Sequence, residues 1–112
     1  MNKIAEHIVT RLKDYNPYYM YAEQMALPYC VYEVTSNTPQ RTKHGIIGYT
    51  ADASVYVAAA SESKATDMKN GVVAELSKRE PGYTVIISGE EAAFAEEQWL
   101  WKIDITITQH FI

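Results

Sequence analysis

At 112 residues the chain is near the commonest domain size and long enough for one core of two packed layers. A composition of 47% hydrophobic and 21% charged residues is that of an ordinary globular protein and excludes global disorder. The net charge of −4 argues against a nucleic-acid binder that works by neutralising phosphates.

One cysteine, Cys30, rules out an internal disulfide and fits a reducing compartment. Glu6, His7 and Arg11 interrupt the first twelve residues, so no signal peptide is expected there. Nor is there an apolar run of about 20 residues, the length a membrane helix needs. The expectation is a single soluble domain that starts life in the cytoplasm. Nine tyrosines read first as boundary residues of a sheet, since Tyr joins an apolar body to a polar tip.

In chain order, Asn2 can cap a helix whose stripe is Ile4, Ala5, Ile8, Val9, Leu12 and Tyr15, at three- and four-residue spacing. Asn16-Pro17 ends it, because the residue before proline is pushed out of the helical region. A short extended piece, residues 18–21, precedes a turn or loose helical turn at 22–26. Leu27-Pro28 opens a strand over 29–36, with Cys30, Tyr32 and Val34 on one face and Tyr29, Val31 and Glu33 on the other. Residues 37–45 read as a polar connection, a flexible hairpin arm or exposed loop in place of a tight turn.

A long strand over 46–60 carries Tyr49, Ala51, Ala53, Val55, Val57 and Ala59 on alternate positions. Ser61 or Ser63 then caps a helix reaching Lys78 or Arg79, with Ala65, Met68, Val72, Val73 and Leu76 inward. Gly71 inside it suggests a close contact, since glycine there costs about 1 kcal/mol relative to alanine. Pro81-Gly82 separates this helix from a strand over 83–88. Residues 90–98, with Glu90, Glu91, Glu96 and Glu97 around Ala92, Ala93, Phe94 and Ala95, read as an acidic, helix-favouring connection.

The last fifteen residues give the clearest signal. Trp99, Trp101, Ile103, Ile105, Ile107, Gln109 and Phe111 alternate with Lys102, Asp104, Thr106, Thr108 and His110, the period of a strand buried on one face. At about 3.4 Å per residue, a strand of this length spans roughly 50 Å and part of it projects past the core. Residues 103–107 are expected in the core. Trp99, Trp101 and Phe111 are candidates for partner contact, because aromatic anchors are enriched at interfaces. The predicted fold is α+β: an antiparallel or mixed sheet of about four main strands with two helices packed on one face.

Motifs for chemistry are missing. His7, His44 and His110 lack a metal-ligand neighbour at helical or ribbon spacing, and no glycine-rich phosphate loop occurs. Cys30, inside a strand, reads as an inert thiol, and only a fold bringing His110 to it would supply a base. The paired glutamates read as solvated groups without the burial that acid–base work requires. No catalytic residue, metal site or cofactor is therefore expected.

Taken together, the helix IAEHIVTRL, Leu27-Pro28-Tyr29 followed by Val31-Tyr32, and Thr42-Lys43-His44-Gly45 form one set of features. The strand Ala53-Ser54-Val55-Tyr56-Val57, the helix around Ala65 to Leu76, and the closing Trp101-Lys102-Ile103-Asp104-Ile105 complete it. In these features nearly the whole chain resembles the tail-terminator (minor tail protein U-like) and tail-completion proteins of long-tailed bacteriophages and prophages. The acidic stretch 90–97 and the tyrosine count depart from that family. The resemblance implies a non-enzymatic virion tail protein, assembled in the bacterial cytoplasm. It would form a ring, commonly a hexamer, that contacts the tail-tube protein and the head-tail connector protein. No sequence-specific nucleic-acid or membrane contact is expected. Apart from the resemblance, the basic residues Arg41, Lys43 and His44 and the acidic Glu90, Glu91, Glu96 and Glu97 read in two ways: as groups that meet across subunits and steer assembly, or as two solvated loops of opposite charge. Two other readings fit the same composition: a small host interaction module without enzymatic activity, and a small ligand-binding protein or enzyme using a tyrosine-lined pocket.

Overall fold

A computed structural model of the chain describes residues 4–15, 17–19, 27–95 and 98–110. Helix α1 spans Ile4–Arg11 and is followed by a 3-10 turn, Lys13–Tyr15. Strands β1 (Tyr18–Tyr19), β2 (Tyr29–Thr42) and β3 (Gly45–Ala59) precede helix α2 (Glu62–Leu76), and strands β4 (Tyr83–Ala95) and β5 (Gln98–His110) close the chain. They form one sheet in the order β1-β2-β3-β5-β4. The four long strands are antiparallel to their neighbours, and the two-residue β1 lies parallel to β2 at Val31 and Tyr32. The element order and the α+β class agree with expectation.

Alternation decides the inner face. Ala51, Ala53, Val55 and Val57 of β3 stand opposite Ile107, Ile105, Ile103 and Trp101 of β5, and the aliphatic members of both rows are buried. Cys30 and Tyr32 extend the row onto β2, and Ile4, Ile8 and Leu12 of α1 and Val72 and Leu76 of α2 belong to the same buried cluster. Val9, placed on the predicted α1 stripe, is exposed instead. Ser61 caps α2, its hydroxyl accepting from the Lys64 N–H at 3.2 Å. The helix ends at Leu76, short of Lys78, with Ser77 as its C-cap. Gly71 does mark a close contact: a side chain there would strike the Tyr15 hydroxyl.

Two expectations are corrected. Residues 37–45 are a hairpin arm, one of the two forms expected, but they are strand and not exposed loop, and the turn is tight. β2 continues to Thr42, paired through Gln40 with Gly48 and Arg41 with Ile46, and a tight turn at Lys43-His44 returns the chain. Gly45 makes that turn possible with φ 118°, a conformation side-chain-bearing residues rarely adopt. Residues 90–95 are likewise strand and not a helix-favouring connection, with Glu90 opposite Ile103, Ala92 opposite Trp101 and Phe94 opposite Trp99. In both places hydrogen bonding to a strongly alternating neighbour overrides local propensity. The turn predicted at 22–26 lies outside the described residues.

The strand registers set the molecule's long axis. β3 and β5 pair from Gly48–His110 at one end to Ala59–Trp99 at the other. The Lys43-His44 turn lies beyond the first end, and the Ala95–Gln98 pair closes the β4–β5 hairpin at the second. The two hairpins thus turn at opposite ends of a body measuring 52 × 26 × 22 Å.

Candidate assembly surfaces

At the first end the β2–β3 hairpin exposes Arg41, Lys43 and His44 together with Ile46 and Ile47. Among the described residues, Gly45, Ile46 and Ile47 have no partner on β5, so this tip is carried by β2 and β3. The His44 N–H donates to the Thr42 hydroxyl at 3.2 Å, which fixes the turn while the charged side chains stay outward. The surface offered is a small apolar pair rimmed by cations.

The acidic and aromatic candidates divide. Lys69 of α2 lies 3.1 Å from a Glu90 carboxylate oxygen and 4.6 Å from the centre of the Trp101 ring. Both residues are thereby used within the chain, pinning the outer half of β4 and the start of β5 to α2. Glu91 is exposed and makes no ion pair among the described residues. Trp99 is half-buried and tilted against Phe94, with ring centres 4.6 Å apart, and Phe94 is itself exposed. Glu96, Glu97 and Phe111 lie outside the described residues. The basic tip and the acidic half of β4 do not meet within one copy: Arg41 pairs beyond Gly48, whereas Glu90 and Glu91 stand opposite Ile103 and Lys102, toward the other end.

The face of the sheet opposite the apolar rows is a ladder of hydroxyls and carboxylates. Asp52 accepts from the Thr106 hydroxyl at 2.9 Å and the Ser36 hydroxyl at 3.1 Å. Asp104 accepts from the Ser54 hydroxyl at 2.8 Å, and Glu33 from the Tyr56 phenol at 3.2 Å. These are cross-strand contacts that tie the sheet together. Burial and the acceptor Glu33 raise the Tyr56 pKa, so its phenol keeps the proton it donates.

A second polar cluster, which the sequence reading missed, joins α1 to the start of β4. The His7 and Tyr83 rings stack at 3.8 Å with 3° between their planes. His7 Nδ1 lies 3.4 Å and Arg11 2.9 Å from one Glu80 carboxylate oxygen, and Arg11 also donates to the Lys78 carbonyl at 2.8 Å. Burial lowers the His7 pKa below the usual 6.5, although Glu80 opposes that shift. Its Nε2 has no hydrogen-bond partner and no access to solvent. No local motif announces this cluster, because its members come from two distant stretches of sequence.

Cys30 is buried and its thiol is pushed up to about 12 by desolvation, which agrees with the inert reading. His110 sits opposite Gly48 and Cys30 opposite Val57, nearly the full length of β3 apart, so the histidine is no base for the thiol. A cleft of about 560 Å³ opens between Tyr15, Leu27, Pro28, Ala59, Lys64 and Met68. Among the described residues Tyr15 is the one tyrosine that lines it, and no three His, Cys, Asp or Glu side chains gather as a metal site. No helix among the described residues is long and apolar enough to cross a membrane. No family model matches this chain, and no curated protein matches it.

Proposed function

We propose that the chain is a virion structural protein of a phage or prophage, a tail terminator or tail-completion protein that works without catalysis. In this reading the two helices form one layer on the inner face of the sheet, leaving both ends of the sheet for neighbours. Copies associate into a ring, with a hexamer expected, that caps the tail tube and joins it to the head connector.

One observation carries the proposal beyond the sequence resemblance. The hairpins turn at opposite ends of the sheet, and the ends differ: one offers Arg41, Lys43, His44, Ile46 and Ile47, the other Glu91, Phe94 and Trp99. A ring joining two unlike structures needs two unlike faces, and head-to-tail contacts between unlike patches close into rings when the rotation permits. The carboxylates of the polar face, Asp52, Asp104 and Glu33, are taken up by hydroxyl partners within the sheet.

The test is to mix the purified chain with tail-tube protein and follow assembly by light scattering and electron microscopy. Hexameric rings at tube ends, and tubes that stop growing, are expected. Tubes that grow to the same length distribution with no added density at their ends would refute the proposal.

A further inference from the structure

The two outer strands meet solvent on different terms. β2 is covered by β1 at Val31 and Tyr32, and its register shifts between Val34 and Ser36 and again between Gln40 and Arg41. Between those shifts Pro39 removes a backbone donor, and Glu33 and Arg41 add charge to either side of them. Short covering strands, bulges, prolines and charges are the devices that keep an edge from pairing with a stranger. β4 has none of them from Thr84 to Ile87, where it reads Thr-Val-Ile-Ile between the Glu80–Tyr83 bridge and a register shift that falls after Ile87. Its outer side has no strand partner among the described residues. On the polar face of this segment Ile86, opposite Thr106, is 59% exposed. An unguarded β-branched edge with an apolar side chain in water is a surface that pairs.

We propose that β4 pairs with β4 of a second copy, antiparallel about a two-fold axis at Ile86, to make a symmetric dimer. Three features select this occupant. β2 is guarded, so continuation of the sheet from β4 onto another copy's β2 is disfavoured, and β4 is left as its own match. A two-fold axis perpendicular to the sheet makes identical strands antiparallel and keeps each face on its own side. Ile86 then stands opposite Ile86 of the second copy on the polar face, and Val85 stands opposite Ile87 on the apolar face. The segment from Tyr83 to Gly89 holds no carboxylate and no cation, so self-pairing opposes no like charges. The contact uses the same patch on both copies and therefore stops at two. It is separate from the head-to-tail contacts of a ring and stands whether or not the ring reading does. A contact of one strand per copy is small, which places it among transient associations.

The experiment measures weight-average mass by light scattering across rising concentration for the chain alone. The wild type should rise toward twice the monomer mass. Ile86→Lys should stay monomeric over the same range with an unchanged denaturation midpoint, because the side chain it replaces is exposed. Under mild oxidation Ile86→Cys should yield a disulfide-linked dimer, while Ile47→Cys, also exposed at the hairpin tip, should not. A wild type that stays monomeric to millimolar concentration, an Ile86→Lys variant that dimerises like the wild type, or equal cross-linking at both positions would each overturn the proposal. None of these results bears on tube capping, which is read in a separate assay.

Discussion

The central strands β3 and β5 and the outer strands β2 and β4 have similar lengths but are held by different forces. β3 and β5 are hydrogen-bonded on both sides and bury Ala51, Val55, Val57, Ile103, Ile105 and Ile107 almost completely. β4 is bonded on one side, leaves Ile86 and Phe94 in water, and depends for its outer half on β5 and on Lys69. A strand in the middle of a sheet is fixed by what its side chains bury. A strand at the margin is fixed by the register of its neighbour and by a few side-chain ties.

Truncation tests that contrast most directly. Ile105→Ala should lose about 2–5 kcal/mol of unfolding free energy, the range for large-to-small changes in a packed core. Ile86→Ala on β4 should stay within about 0.5 kcal/mol in the same urea titration, as exposed positions do. Similar losses for both would erase the distinction between central and outer strands. The cover above the central strands is next. Gly71→Ala should destabilise by about 1–3 kcal/mol, since the added methyl meets Tyr15 and overpacking outweighs the gain in helix propensity. Adding Tyr15→Phe, which removes the hydroxyl, should recover part of that loss.

The start of β4 should respond to pH. His7, stacked on Tyr83, is held neutral by burial with its pKa below 6.5, whereas the unfolded chain protonates near that value. The fold therefore keeps this contribution above pH 6.5 and loses it as pH falls through 6.5 toward the folded-state value. The drop in urea midpoint between neutral pH and about pH 5 should be smaller for His7→Phe, which keeps a stacking ring but cannot titrate. The smallest effect is expected at Lys69→Met, at most about 1 kcal/mol, since the ion pair to Glu90 is partly solvated. Hydrogen exchange should show that loss in residues 90–95 and not in β3.

The same physical division governs what could be read from the sequence. Residues 51–57 and 103–107 announce themselves because burial on one face imposes a period of two. Ser61 as a cap and Gly71 as a close approach were legible because few residue types satisfy either need. The outer halves of β2 and β4 were not, because a strand bonded on one side need not alternate. There, Pro39 and the run of alanines and glutamates spoke for a loop and a helix. Of the candidate surface residues, Arg41 and Lys43 could be placed outside from charge alone, and His44 from its place in the same polar stretch. That Glu90 and Trp101 share Lys69, or that His7 meets Glu80, depends on how α2 and α1 lie against β4, and no local pattern encodes that. Ile86 did leave a trace: it falls on the same parity as Thr84 and Ser88, an apolar residue in a polar row.

The length of the sheet has a practical consequence. A compact chain of about 100 residues has a radius of gyration of about 13 Å; here it is 14.9 Å, with one dimension twice either of the others. Such a rod-like particle meets more friction than a sphere of equal mass. It should leave a sizing column early, as if it were heavier than it is. Column calibration against spherical standards would therefore overstate its mass, and masses for this protein should come from scattering or sedimentation equilibrium, which are blind to shape.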